Sequence, residues 1–177
     1  MSVKNLKVQH IMVELKARAN SLELSRNRLI EFGAKKIGVF HQIDTYYEVP
    51  TGRLKLREVE GKADSELIYY EREDVFEPKK NSVFIFQLSQ SQILKGILNR
   101  ILTIKGVVDK IREIYLYDDI QIHLDTVRDL GSYIEFERIT SSDPRQQKKD
   151  LLKLERLRKR LNISSQSLER SSYSDLI

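Results

Sequence analysis

Period two governs this chain. From Lys7 to Arg18, the residues Ile11, Val13, Leu15 and Ala17 share one face, while His10, Glu14, Lys16 and Arg18 share the other. Successive strand side chains point to opposite sides, so alternation over that length marks a strand with one dry face. The pattern returns at Arg53–Arg57, Glu66–Arg72, Val107–Tyr117, Ile120–Asp125 and Tyr133–Glu137. His41–Glu48 reads as a further strand, closed by a Pro50-Thr51-Gly52 turn. Helical signals are fewer. Asn20 or Ser21 caps a helix through about Phe32, with Gly33 as its stop. Ser89-x-x-Gln92 is a capping-box pattern, followed at helical spacing by Ile93, Leu94, Ile97, Leu98, Ile101 and Leu102. Asp143-Pro144 opens a last helix to about Leu161, with Leu151, Leu154, Leu157 and Leu161 on one stripe. Strands joined by short turns pair antiparallel, so the expected class is α+β.

A length of 177 residues suits one domain with a sizeable core. Cysteine is absent, which excludes disulfides, thiolate nucleophiles and zinc–cysteine sites. No run of 18 apolar residues exists and the first residues lack a signal-type apolar region, so a cytoplasmic protein with no membrane partner is expected. The net charge of +5 first suggests a polyanion, but its location removes that hint. Residues 145–160 alone carry +6, leaving −1 for the rest of the chain. That basic helix lacks interleaved aromatics or a recognisable binding motif, so nucleic acid is not the expected partner. Its leucine stripe needs cover from the sheet or from a second copy of the chain, as in a homodimer.

The polar faces of the alternating strands are unusual. They carry eight cations (Lys16, Arg18, Arg53, Lys55, Arg57, Arg72, Lys110 and Arg112) and four carboxylates (Glu14, Asp125, Glu135 and Glu137). A solvated face explains any one strand well, because antiparallel sheets often meet water. It explains the set less well. If helices cover the apolar sides, the sheet can curl so that the charged faces converge on a lumen. Cations so gathered need a counter-ligand, and a triphosphate is rich in charge and acceptor oxygens. Carboxylates cannot bind phosphate, but they suit a hard divalent ion such as Mg²⁺ or Mn²⁺ that bridges to it.

The residues then show a resemblance. Met12-Val-Glu-Leu-Lys-Ala-Arg18 is similar to the N-terminal Glu-x-Glu-x-Lys signature of the CYTH superfamily, which unites class IV adenylyl cyclases with triphosphate tunnel enzymes. Gln42-Ile-Asp-Thr-Tyr-Tyr47, Gly52–Glu58, Ile68–Arg72, Val108–Arg112, His123–Val127 and Leu130–Glu137 resemble its later strands in order. The ending Ser172-Tyr-Ser-Asp-Leu176 is similar to tails in the class IV cyclase branch. The resemblance covers nearly all of residues 1–177 and implies an eight-stranded antiparallel β-barrel, the triphosphate tunnel, with helices outside. It implies that Lys16, Lys55, Arg57, Arg72, Lys110 and Arg112 grip phosphates, with Arg53 and Arg18 nearer the strand ends. Lys16, Lys110 and Arg112 are the implied catalytic residues, and Glu14, Asp125, Glu135 and Glu137 the metal ligands. Two departures stand out. Met12 replaces the first signature glutamate, and a thioether is a poor Mg²⁺ ligand; Gln121 replaces an arginine common before the His-Leu-Asp triplet.

The implied function is metal-dependent conversion of ATP to cyclic AMP and pyrophosphate. The alternatives are hydrolysis of thiamine triphosphate, inorganic triphosphate or nucleotides, and a noncatalytic triphosphate- or polyphosphate-binding module, which Met12 motivates. Lys16 reads first as a phosphate cation and second as a general base. His10 and His123 read as hydrogen-bonding side chains rather than proton shuttles, and Tyr46, Tyr47, Tyr69 and Tyr70 as packing residues rather than a base platform.

Overall fold

The computed structural model describes residues 7–72, 79–89 and 91–177. Its strands are β1 (Lys7–Arg18), β2 (Lys35–Tyr47), β3 (Arg53–Val59), β4 (Ser65–Arg72), β5 (Lys79–Leu88), β6 (Ile104–Tyr117), β7 (Ile120–Val127) and β8 (Gly131–Thr140). Helices α1 (Leu22–Glu31), α2 (Ser91–Ile101) and α3 (Pro144–Arg160) stand between or after them. The strands close into an antiparallel barrel in the order β1-β5-β4-β3-β2-β6-β7-β8, with β8 returning to pair with β1. Closure removes the exposed sheet edges and gives every strand an inner and an outer face.

The charged face of each alternating strand is the inner one. The dry face is the outer wall, and the helices cover it. Val13, Leu15, Ala17, Ile122, Leu124, Ile134 and Phe136 from β1, β7 and β8 pack against Leu29 of α1 and Leu154, Leu157 and Leu161 at α3. Each fully buried leucine of that kind contributes about 1.5–3 kcal/mol. The α3 stripe is therefore covered by the barrel wall. A smaller outer cluster sets Leu98 of α2 on Tyr47 and Leu56. A third lies within the barrel, where Tyr46, Ile68, Tyr70, Val83, Val108, Val127 and Tyr133 surround Tyr173.

The caps of α1 and α3 form as their sequences predict. Ser21 accepts from the Leu24 amide at 3.2 Å, and Asp143 accepts from the Arg145 amide at 3.0 Å. Gln92, the far end of the box expected ahead of α2, donates its side-chain amide to Glu58 at 2.8 Å. Two strand features lack a period-two signal. β5 places Val83 among the lumen residues while Phe84 and Phe86 stand exposed outside, so no polar alternation marks it. β2 begins at Lys35 rather than His41; residues 35–39 are mostly exposed on both faces, in a ribbon paired with β6. No helix among the described residues is long and apolar enough to cross a membrane.

Candidate active site

Barrel register decides which charges meet. Lys16 stands opposite Glu135 and Glu14 opposite Glu137 across β1–β8. His123 stands opposite Glu135 across β7–β8, and Arg112 opposite Asp125 across β6–β7. Asp44 stands opposite Arg57, and Tyr46 opposite Lys55, across β2–β3. The shared lumen is lined by Lys16, Lys55, Arg57, Lys110 and Arg112 together with Glu14, Glu135 and Glu137.

Two carboxylates organise most of the cations. Asp44, fully buried, accepts from Arg57 Nε at 2.7 Å and Nη2 at 2.9 Å, from Lys55 Nζ at 2.9 Å and from Lys110 Nζ at 3.4 Å. Burial alone would push the Asp44 carboxyl up, but the attractions of Arg57, Lys110 and Lys55 outweigh it and hold the group well below its ordinary range. Asp125 takes Arg112 side-on, at 2.8 Å from Nε and 2.6 Å from Nη2, and also accepts from the Tyr173 hydroxyl at 2.8 Å. Burial raises Asp125 and Arg112 and Lys110 lower it, with the balance at about 2.

Lys110 departs furthest from an ordinary lysine. Burial first, then the neighbouring Arg112 charge, pull its ammonium down to about 7. Asp44 attracts Lys110, but burial and the repulsion of Arg112 and Arg57 outweigh that attraction.

His123, Glu135 and Glu137 bring one potential ligand atom each to within 4.8 Å of one another. Glu135 also accepts from Arg112 Nη2 at 2.8 Å and lies 3.6 Å from Lys16 Nζ. Burial would raise its carboxyl, and Lys16, His123 and Arg112 together draw it well down. Glu137 is more open, with 23% of its side chain exposed. Two carboxylates and an imidazole nitrogen at this spacing suit a divalent cation.

The tail closes one side of the lumen. Ser172 exchanges a hydrogen bond with Tyr70 at 2.8 Å, and the Tyr173 ring lies 4.0 Å beneath Lys16 Nζ and packs edge-on to Tyr133. Arg53 pairs with Asp175 at 2.9 Å, and Lys105 holds the other oxygen of that carboxylate.

Of the twelve residues singled out from the sequence, eight line this lumen and a ninth, Asp125, is buried against Arg112. Arg53 serves the tail instead. Arg18, 52% exposed, pairs with Glu169 and stands apart. Arg72 ends β4 opposite Asn81, and its side chain lies outside the described residues. Among the expected metal carboxylates, Glu135 and Glu137 meet; Asp125 is directed to Arg112, and Glu14 accepts from Asn81 at 2.5 Å. Met12 lines the same lumen, and Tyr47 and Tyr69 face outward, bonding Asn99 and Glu71.

Sequence reasoning passed over Asp44, Asn81 and Tyr173. The parity of Gln42, Asp44 and Tyr46 could have placed Asp44 on the inner face. Asn81 sits in the strand that lacks alternation, and Tyr173 lies in the Ser172–Leu176 tail motif, which carried no role for its side chain.

A family model described as the CYTH domain matches residues 10–173. A Methanocaldococcus jannaschii protein, provisionally named an adenylate cyclase, is 39% identical over 69 residues. That match spans 39% of this chain and 39% of the relative. Among solved structures, a Pyrococcus horikoshii OT3 protein is similar with a TM-score of 0.82 and 26% identity, over 94% of this chain and 99% of the other. A Vibrio parahaemolyticus protein, provisionally named an adenylate cyclase, gives 0.81 at 20% identity over 94% and 97%. A Hippeastrum protein, provisionally named an adenylyl cyclase and described as having a dominant triphosphatase activity, gives 0.60 at 14% identity over 92% and 91%. The last two likenesses concern the fold.

Proposed function

The chain belongs to the CYTH domain family, and from that premise we propose that it is a divalent-metal-dependent enzyme converting ATP to cyclic AMP and pyrophosphate inside the barrel. One observation carries the reading: Lys55, Arg57, Lys110 and Arg112 share one lumen with the Glu135–Glu137 pair. Charge balance strengthens it. Lys16, Lys55, Arg57, Lys110 and Arg112 are met by Glu14, Asp44, Asp125, Glu135 and Glu137, so the ligand-free lumen is near neutrality. A triphosphate entering alone would bring several uncompensated negative charges into a partly desolvated space. It therefore needs to enter with positive charge, and the carboxylate pair with His123 beside it offers a donor set that fits a divalent ion.

Glu135 and Glu137 would hold that ion, which when bound neutralises phosphate charge and lowers the pKa of the attacking hydroxyl. Lys55 and Arg57 bind the leaving pyrophosphate, with Asp44 fixing their direction. Arg112, held side-on by Asp125, presents its guanidinium to the phosphorus under attack. Lys16 holds position over the Tyr173 ring as a phosphate cation. Lys110, which near neutral pH is partly the free amine, takes the proton from the ribose 3′-hydroxyl as its oxygen bonds to the α-phosphorus. Tyr173 and Ser172 exclude water from the tail side.

Hydrolysis is the second reading, and a specific feature favours it. Lys55 Nζ lies 5.3 Å from the Tyr46 ring centre and 5.7 Å from that of Tyr70, so a cation covers the two lumen rings best placed to stack a base. The similarity to the Hippeastrum protein points the same way. The deciding experiment offers ATP, thiamine triphosphate and inorganic triphosphate with Mg²⁺ or Mn²⁺ and identifies every product. Cyclic AMP with stoichiometric pyrophosphate supports cyclisation. Inorganic phosphate without cyclic AMP refutes it in favour of hydrolysis, and tight binding without turnover refutes both.

A further inference from the structure

His123 has a geometry that its neighbours do not explain. It is 2% exposed, and its Nδ1 has no hydrogen-bond partner among the described residues. That nitrogen lies 3.6 Å from Glu135 Oε2 and 3.7 Å from Glu137 Oε1, beyond hydrogen-bond range for an N–H donor. Its other nitrogen, Nε2, is 3.4 Å from the side-chain oxygen of Gln121. An amide oxygen only accepts, so this contact favours the tautomer with its proton on Nε2. Nδ1 then points between two carboxylates, and the three atoms form a donor set that a cation can bridge.

We infer that His123 Nδ1 is a direct ligand of the divalent ion, alongside Glu135 and Glu137, and that it tunes the site toward Mn²⁺, Fe²⁺ or Co²⁺ over Mg²⁺. Mg²⁺ is satisfied by oxygen and dehydrates reluctantly, whereas imidazole nitrogen suits the transition ions. Gln121 has a role in the same device. An arginine at this position would have only donors and could not accept from Nε2–H. Glutamine orients the imidazole as an outer partner orients a metal-bound histidine. The inference rests on the metal-dependent reading above and adds to it which ion the chain prefers and which residues set the preference.

The test reads binding rather than turnover. Chelator-stripped full-length protein is titrated with Co²⁺ followed by visible absorption, with Mn²⁺ followed by electron paramagnetic resonance, and with Mg²⁺ by calorimetry. In H123F, which keeps a buried ring without a donor, Co²⁺ and Mn²⁺ affinities are expected to fall at least about 100-fold, while Mg²⁺ affinity changes less than about threefold. In Q121R, on the barrel rim, Co²⁺ affinity falls about 10-fold. Should H123F not fold, nitrogen NMR of wild type with ¹¹³Cd²⁺ bound is decisive, since coordination splits the Nδ1 signal. Equal losses for all three ions, no loss, or an unsplit Nδ1 signal with cadmium bound overturns the role of His123 and leaves the metal-dependent reading intact. A wild-type protein that binds no divalent ion overturns both.

Discussion

Asp44→Asn separates the two things that a buried carboxylate does for a cationic lumen. In the ligand-free protein, Asp44 touches Arg57, Lys55 and Lys110 at 2.7–3.4 Å and has no exposure to water. At an effective dielectric of about 20, one such contact is worth roughly 4 kcal/mol before Asp44's own desolvation is subtracted. The amide removes the attraction and leaves three neighbouring cations repelling one another. Removing one partner of a buried pair costs about 3–5 kcal/mol, which for a chain of this size lowers Tm by about 6–20 °C. Triphosphate affinity moves the other way. With one carboxylate fewer, the lumen carries a net positive charge, and inorganic triphosphate should bind roughly tenfold or more tightly. Calorimetric melts with and without inorganic triphosphate read both quantities, and the ligand should raise Tm more in the variant than in wild type. The pH window follows from the direction of the Asp44 shift. Its folded pKa lies well below the unfolded value of about 3.9, so its stabilisation is fully present above that value and is lost only as pH falls through the depressed one. The contribution of the Asp44 carboxylate itself should therefore stay constant from about pH 5 to 8, while the gap between variant and wild type narrows as pH rises toward about 7, because without Asp44 the Lys110 ammonium loses its proton at lower pH. A variant that melts like wild type, or that binds triphosphate more weakly, would show that Asp44 is not the counter-charge of these cations.

Three further outcomes are expected. If Lys110 accepts a proton, kcat/KM for ATP should rise through pH about 7 and level off above it; a purely phosphate-binding lysine would make the profile fall over the same range. Tyr173→Phe removes a hydrogen bond to buried Asp125 and should cost about 1.5–3 kcal/mol, a drop of about 3–12 °C that a thermal melt would detect. Leu154→Ala, at the fully buried contact of α3 with the barrel, should cost about 2–5 kcal/mol in urea unfolding, and a near-neutral result would mean that α3 does not seal this wall.

Much of the fold was legible because closure of a barrel preserves the parity of each strand. Glu14 and Lys16, Lys55 and Arg57, Lys110 and Arg112, and Glu135 and Glu137 alternate with apolar neighbours, and that local pattern already separates lumen from wall. The leucine stripe of α3 likewise marked a covered face. The pattern failed where both faces have the same polarity. β5 carries apolar residues on both sides, and the first part of β2 meets water on both.

Pairing lay beyond parity. Whether Glu135 meets Arg112, Lys16 and His123 depends on register between strands distant in the chain, and so does the gathering of three cations on Asp44. Equally non-local is the return of Tyr173 from the tail to a carboxylate on β7, across 48 positions of sequence. By itself, the sequence determined which side chains face inward on the strands that alternate, because alternation is a property of one strand. Only the tertiary structure decided which of them neutralise one another and which leave a buried nitrogen facing two carboxylates. Charges interact through distance in space, and a closed barrel sets those distances by the register of all its strands at once.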